Sequence, residues 1–183
     1  MKVMLLAGHS ATGKTSVARM IAQKYDCELL LERAIIDRIV EKRGFDRARD
    51  CVKKFGFEPL LEETREETVK RINNCGKQNI ILDGAYDGRI PAYLKDNLKG
   101  AELIVVGIAS NRSMRRHRMM QRSGLPMNKA LKELRFIDKI KERIGAHEVV
   151  RKADVMVKNR GRLDEFLFVL NKLAECFFGA KKL

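Results

Sequence analysis

Residues 8–15 of this 183-residue chain read Gly-His-Ser-Ala-Thr-Gly-Lys-Thr, directly after the apolar run Val3 to Ala7. Glycines at the first and sixth places, then lysine and a hydroxyl residue, fill the pattern G-x-x-x-x-G-K-[ST]. Gly8 and Gly13 let the backbone curl so that the N–H groups of His9, Ser10, Ala11 and Thr12 turn inward on a phosphate, their side chains pointing away. Lys14 reaches the outer phosphates, and the Thr15 hydroxyl can ligate Mg²⁺. A helix opening at Lys14, Thr15 and Ser16 presents its positive end to the same anion. The ligand implied is a nucleoside triphosphate.

A second run, Ile80-Ile81-Leu82-Asp83-Gly84, ends an apolar strand on a carboxylate. Beside a phosphate loop, Asp83 can hold Mg²⁺ directly or through its waters, and Gly84 lets a phosphate approach the backbone. A third cluster is basic. Residues 111–123 carry Arg112, Arg115, Arg116, Arg118 and Arg122 with no acid, and residues 111–160 hold 15 Lys and Arg against 5 Asp and Glu, a net of +10 within a chain of net +14. Arginine forks bind phosphate oxygens in pairs, so this segment suits a phosphorylated small molecule or a nucleic-acid backbone.

Elements that could position these groups alternate along the chain. Strands are expected at 2–7, 27–31, 79–83, 103–109 and 154–158, and helices at 14–24, 33–43, 47–54 and 60–75 with others between the later strands. Val17, Met20, Ile21 and Lys24 are spaced for one face of the first helix. In the helix over 60–75 early glutamates and late bases complement the dipole, and Glu66–Lys70 and Glu67–Arg71 sit one turn apart. The final helix carries Leu163, Phe166, Leu167, Leu170, Leu173 and Phe177 as a core stripe. Alternating units with near-continuous apolar strands predict an α/β fold, a parallel sheet covered by helices on both faces. Ligands in such sheets lie beyond the carboxyl ends of the strands. There fall the loop from Gly8, Glu32 and Arg33, Asp83, Arg112, and the run Asn159-Arg160-Gly161.

A chain of this length with 45% hydrophobic residues suits one domain, 1–183, with no apolar run long enough for a membrane span. The N-terminal run leads straight into the phosphate loop, which excludes a cleaved signal peptide, so a cytoplasmic protein is expected. Cys27, Cys51, Cys75 and Cys176 form no metal-type pair and read as reduced thiols.

With these motifs in place, the chain resembles the P-loop kinases of small molecules: adenylate and cytidylate kinases, dephospho-CoA kinases and an archaeal adenylate-kinase-like group. The loop 8–15, Asp83-Gly84, the arginines from Arg112, a basic helix through Arg135 and Arg143, and Ala153-Asp-Val-Met-Val-Lys-Asn-Arg-Gly161 carry the likeness. It implies a three-layer sandwich with a five-stranded parallel sheet of order 2-3-1-4-5, an acceptor-binding helical insertion at about 32–75 and a mobile lid at about 112–145. It implies ATP as donor with Mg²⁺ as cofactor, and Asn159 to Gly161 against the base. Lys14, Asp83 and the lid arginines Arg112, Arg116 and Arg118 would serve the chemistry, and Glu32, Arg33, Arg38 and Gly84 the acceptor. Dephospho-CoA kinases place an aspartate soon after the second strand as base; this chain offers Glu32 there, with Asp37 more than a helical turn beyond, so the resemblance assigns no single base.

The activity expected is transfer of the γ-phosphoryl group to a nucleotide-like acceptor, either a monophosphate such as AMP or CMP or dephospho-CoA. A polynucleotide 5′-kinase or RNA-associated ATPase is the alternative, because +10 exceeds what a monophosphate needs. A GTPase is disfavoured, since Asn171-Lys172-Leu173-Ala174 lacks the aspartate of a guanine motif and sits in an amphipathic helix.

Overall fold

The computed structural model describes residues 1–179. In chain order the elements begin β1 (Lys2–Gly8), α1 (Lys14–Lys24), β2 (Glu28–Leu31), α2 (Glu32–Lys42), α3 (Ala48–Phe55), α4 (Glu58–Asn74) and β3 (Asn79–Asp83). They continue α5 (Ile90–Asn97), β4 (Glu102–Ala109), α6 (Arg112–Ser123), α7 (Met127–Arg143), α8 (Ala146–Arg151), β5 (Val155–Lys158) and α9 (Leu163–Phe178). All strand pairs are parallel in the order β2-β3-β1-β4-β5, as the resemblance implied.

β1 is central and buried on both faces, which is why its sequence runs apolar without alternation. Met4 and Leu6 join the core under α1 and α9, whereas Val3, Leu5 and Ala7 join the opposite core under α4, α5 and α8. That placement leaves the carboxyl edge of the sheet for function. Leu6 pairs with Asp83 across β1 and β3, and Leu31 pairs with Asp83 across β2 and β3, so the ends of three strands meet side by side. Two smaller cores lie outside the sheet: α2, α3 and α4 close on Ile35, Ile39, Cys51 and Leu60, while α6 and α7 close on Met119, Ala130 and Leu134.

Some expectations are corrected. On α1 Met20 is 45% exposed, and the buried face is Val17, Ala18, Ile21 and Ala22, small residues that admit the helix close to the sheet. On α9 Leu163 lies before the point where the helix meets the sheet and is 62% exposed; Ala174 completes the stripe. α4 begins before Pro59, not after it, because proline fits the first turn, whose N–H groups lack helical partners anyway. Of its two expected ion pairs Glu67–Arg71 forms at 2.8 Å.

Candidate active site

The turn between β1 and α1 is held from outside by cations and amides. Lys14 Nζ donates to the carbonyls of Gly8 and His9 at 2.9 Å each, and Lys141 Nζ donates to Gly8 at 3.1 Å. Arg115 Nε donates to the Ser10 carbonyl at 2.8 Å, and Arg118 to those of Ala11 and Thr12 at 3.3 and 3.4 Å. Asn159 Nδ2 also donates to Thr12, at 3.0 Å. Each carbonyl from Gly8 to Thr12 thus has a partner that turns the peptide one way round. Ala11 is held at φ 62°, a left-handed conformation that costs a non-glycine residue about 1 kcal/mol. α1 itself starts with no side-chain cap and no acid in its first turn, so its free N–H groups face the turn uncontested.

Behind the turn, Thr15 Oγ1 donates to Asp83 Oδ2 at 2.6 Å, a contact made possible because β1 and β3 are neighbours. A hydroxyl and a carboxylate so joined are the hard oxygen donors that Mg²⁺ prefers, alongside water and phosphate oxygens. Burial lowers the Lys14 ammonium to about 7, helped by the positive charge of Lys141 and opposed by Asp83.

These groups open on a cavity of about 590 Å³. Six cations line it, Lys14, Arg19, Arg33, Arg118, Arg122 and Lys141, against the single carboxylate of Asp83. Such a field favours a polyanion. On the β2 side, Glu32 is 0% exposed and stands just behind the wall formed by Leu31, Arg33, Gly84 and Tyr86. Its Oε2 accepts from the Tyr86 N–H at 2.6 Å, and its Oε1 has no partner. Burial lifts its carboxyl to about 7, against the pull of the Tyr86 N–H and Lys141. Gly84 is required here: at its φ of +122° a Cβ would lie 3.0 Å from Glu32 Oε2. Lys141 Nζ sits 4.7 Å above the Tyr86 ring, joining the Glu32 side of the site to the phosphate turn.

Among residues singled out from sequence, Gly8 to Thr15, Asp83, Gly84, Arg33 and Arg118 gather at this cavity or its turn. Arg33 is exposed and pairs with Asp37 at 2.9 Å. Arg38 is exposed on α2, Arg112 is exposed on the outer side of α6 and α7, and Arg116 is half-buried; none lines the cavity. Ser16 lines its rim. Asn159 is buried, its Oδ1 taken by Arg118 at 2.8 Å and by the Gly161 N–H at 3.2 Å, so it braces the turn from β5.

Lys141, Arg115 and Tyr86 were not singled out as site residues. The signal for Lys141 was present: Ala130, Leu134, Ile137 and Lys141 form one helical stripe, and a cation in an apolar stripe needs a partner. Arg115 shares a stripe with Met119 and is clamped by both oxygens of Asp138 at 2.6 and 2.8 Å. Burial pushes the Asp138 carboxyl up, but the neighbouring His9 and Arg115 outweigh it and hold it at about 2.

The sequence model of the chloramphenicol phosphotransferase-like protein family matches residues 1–141. A UPF0200 protein of Saccharolobus islandicus is 24% identical over 173 residues, covering 90% of this chain and 88% of its own. Among solved structures, an uncharacterized protein from Eubacterium ventriosum superposes with a TM-score of 0.68 at 14% identity, covering 96% of this chain and 99% of its own. Shikimate kinase from Aquifex aeolicus does so with a TM-score of 0.60 at 16% identity, covering 98% and 100%. At these identities the likeness is one of fold.

Proposed function

The chain belongs to the chloramphenicol phosphotransferase-like protein family, within the P-loop kinases, and from that premise we propose that it transfers the γ-phosphoryl group of ATP to a hydroxyl of a nucleotide-like small molecule. The observation that carries this reading is the free Oε1 of Glu32, the one carboxylate oxygen that is buried without a partner among the described residues, next to a cavity lined by six cations. An acceptor phosphate is already anionic and needs no base. An acceptor alcohol does, and a carboxyl near 7 is matched to that task at neutral pH. Dephospho-CoA, which would accept on a hydroxyl, calls on Glu32, whereas AMP or CMP accepting on its phosphate leaves that carboxylate unused.

In the proposed step the acceptor displaces the wall at Tyr86, and its hydroxyl proton passes to Glu32 Oε1 as its oxygen bonds to the γ-phosphorus. The bond from that phosphorus to the β,γ-bridging oxygen breaks, and ADP leaves. Lys14, Lys141 and Arg118 exchange loop carbonyls for phosphate oxygens and hold the charge that spreads over the γ-phosphoryl group. Thr15 and Asp83 would hold Mg²⁺, which neutralises β- and γ-phosphate oxygens when bound. Arg33 supplies a cation for the acceptor. Residues 32–75 serve as the acceptor-binding part of the single domain and residues 112–145 as its lid, which excludes water on closing. Dependence on ATP makes the cytoplasm the expected compartment; no helix among the described residues is long and apolar enough to cross a membrane.

The test is a transfer assay with γ-labelled ATP across AMP, CMP, UMP, deoxynucleoside monophosphates, dephospho-CoA and a 5′-hydroxyl oligonucleotide, in the parent and in Glu32→Gln. The reading requires a hydroxyl acceptor whose turnover falls by roughly a hundredfold or more in the variant. Preferred transfer to a monophosphate with no effect of Glu32→Gln overturns it.

A further inference from the structure

Arg112 of α6 and Lys132, Arg135 and Lys139 of α7 line an open groove on the two helices together with Phe136, with Asp138 and Glu142 as its carboxylates. Asp138 is spent on Arg115, and none of the four cations forms an ion pair among the described residues. Unpaired cations occur singly or in twos on other helices, as at Arg38 of α2 beside the Arg33–Asp37 pair and at Lys70 of α4 beside the Arg71–Glu67 pair; here four of them line one groove. Phe136 adds a second, independent observation. It is 54% exposed, a large ring left in water amid cations.

We propose that this groove docks single-stranded nucleic acid, with the backbone along Arg112, Lys132, Arg135 and Lys139 and a base stacked on Phe136. Positions 132, 135 and 139 follow one face of α7 over about 10 Å, room for successive phosphates of an extended strand. The ring supplies the flat apolar surface that any base can cover and that an inorganic anion or an acidic peptide would leave unused. Apart from Asp138, which is held by Arg115 and lies 3.4 Å from His9 of the nucleotide turn, the lining residues are not bonded to that turn, and the groove shares no lining residue with the cavity between Lys14 and Tyr86. The strand is therefore a docked partner and not the phosphoryl acceptor.

The experiment measures fluorescence anisotropy of a labelled single-stranded RNA of about a dozen nucleotides over a range of salt, with the full chain. Lys132→Ala/Arg135→Ala/Lys139→Ala is compared with a charge-matched control on another surface, Arg47→Ala/Arg49→Ala/Lys53→Ala, and with Phe136→Ala. Thermal melts verify that each variant is folded. Expected is binding by the parent in the micromolar range at about 0.15 M salt, a fall in the salt slope by about 2 in the groove variant only, and a loss of about tenfold for Phe136→Ala. Equal losses in the groove and control variants would reduce the binding to the net charge alone and overturn the proposal. So would unchanged affinity in the groove variant, absence of parent binding, or groove-dependent capture of anionic phospholipid vesicles in preference to RNA.

Discussion

Lys14 and Lys141 donate to one and the same acceptor, the carbonyl oxygen of Gly8, at 2.9 and 3.1 Å. Burial above all, with the repulsion of two ammonium groups converging on one oxygen added to it, draws the Lys14 proton affinity down to about 7. Polyphosphate relieves both strains at once. At about pH 8 nucleotide binding is expected to take up close to one proton per site, read by calorimetry in buffers of different ionisation enthalpy. Lys14→Ala should abolish both the uptake and transfer while the fold persists, because α1 is anchored by Val17, Ala18 and Ile21. Retained turnover in that variant would rule out the phosphate-loop assignment.

Glu32→Gln is expected to trade activity for stability. A carboxyl whose pKa rises from 4.5 to about 7 on folding favours the folded state fully only below its unfolded value, and the advantage is lost as pH climbs through the folded one. The neutral amide escapes that loss. Its melting temperature should match the parent near pH 4 and exceed it above about pH 7, by roughly 3 kcal/mol at most, or several degrees for a chain this long. A gap that opens toward acid instead would refute the assignment of the buried charge.

Arg118→Ala is expected to lower turnover about a hundredfold, more than it weakens nucleotide binding, since its contacts to Ala11, Thr12 and Asn159 must be remade on phosphate in the transition state. Arg116→Ala, whose side chain reaches neither the turn nor the cavity, should stay within about twofold. Steady-state kinetics on both variants separate the two arginines.

Asp83→Asn keeps the shape of the site and a partner for the Thr15 hydroxyl but removes the negative charge. The expected outcome is a shift of the Mg²⁺ titration to higher concentration by about tenfold or more, with Lys14 still in place. A titration that overlays the parent would move the metal role to another carboxylate.

Arg115→Ala tests bracing rather than chemistry. Losing the fork that spans Ser10 and Asp138 should cost about 2 kcal/mol, since Asp138 is only partly exposed and keeps only His9 nearby. Chemical denaturation measures the loss.

The local motifs were readable because backbone geometry makes them so: a phosphate turn needs its glycines at fixed places, and a strand buried on both faces must be apolar throughout. Hence β1, β3 and the Gly8–Thr15 turn came out close to their observed bounds, and the alternation of elements with the family likeness supplied the sheet order. What the pattern could not deliver was direction in the arginine cluster. Arg112 and Arg116 lie one turn apart on α6, but it is Arg115 and Arg118 that face the turn, because the orientation of that helix is set by Met119 packing on Ala130 and Leu134. Lys141 depended on tertiary packing in the same way. Its carbonyl partner at Gly8 is distant in sequence and becomes a neighbour only once α7 has folded back over the sheet.

Gly88 and Gly145 meet backbone to backbone: the Gly88 N–H bonds to the Ile144 carbonyl at 3.0 Å, and a Cβ on Gly88 would stand 2.9 Å from the Gly145 carbonyl oxygen. The root of α7 is therefore jointed to the segment that follows Asp83, with no side chain as spacer. Rotation of α7 about that joint is opposed by polar ties, those of Arg115, Arg118 and Lys141 to the carbonyls of the phosphate turn. In the lid movement proposed for residues 112–145, displacement would scale with leverage: Lys141, about 6 Å from the joint, would stay with Tyr86, while Met127 at the far end, about 27 Å away, would travel widest and carry α6 with it. The same joint makes a methyl group at Gly88 a wedge, which would tilt the whole arm and with it Arg115, Arg118 and Lys141, the cations that hold the phosphate turn.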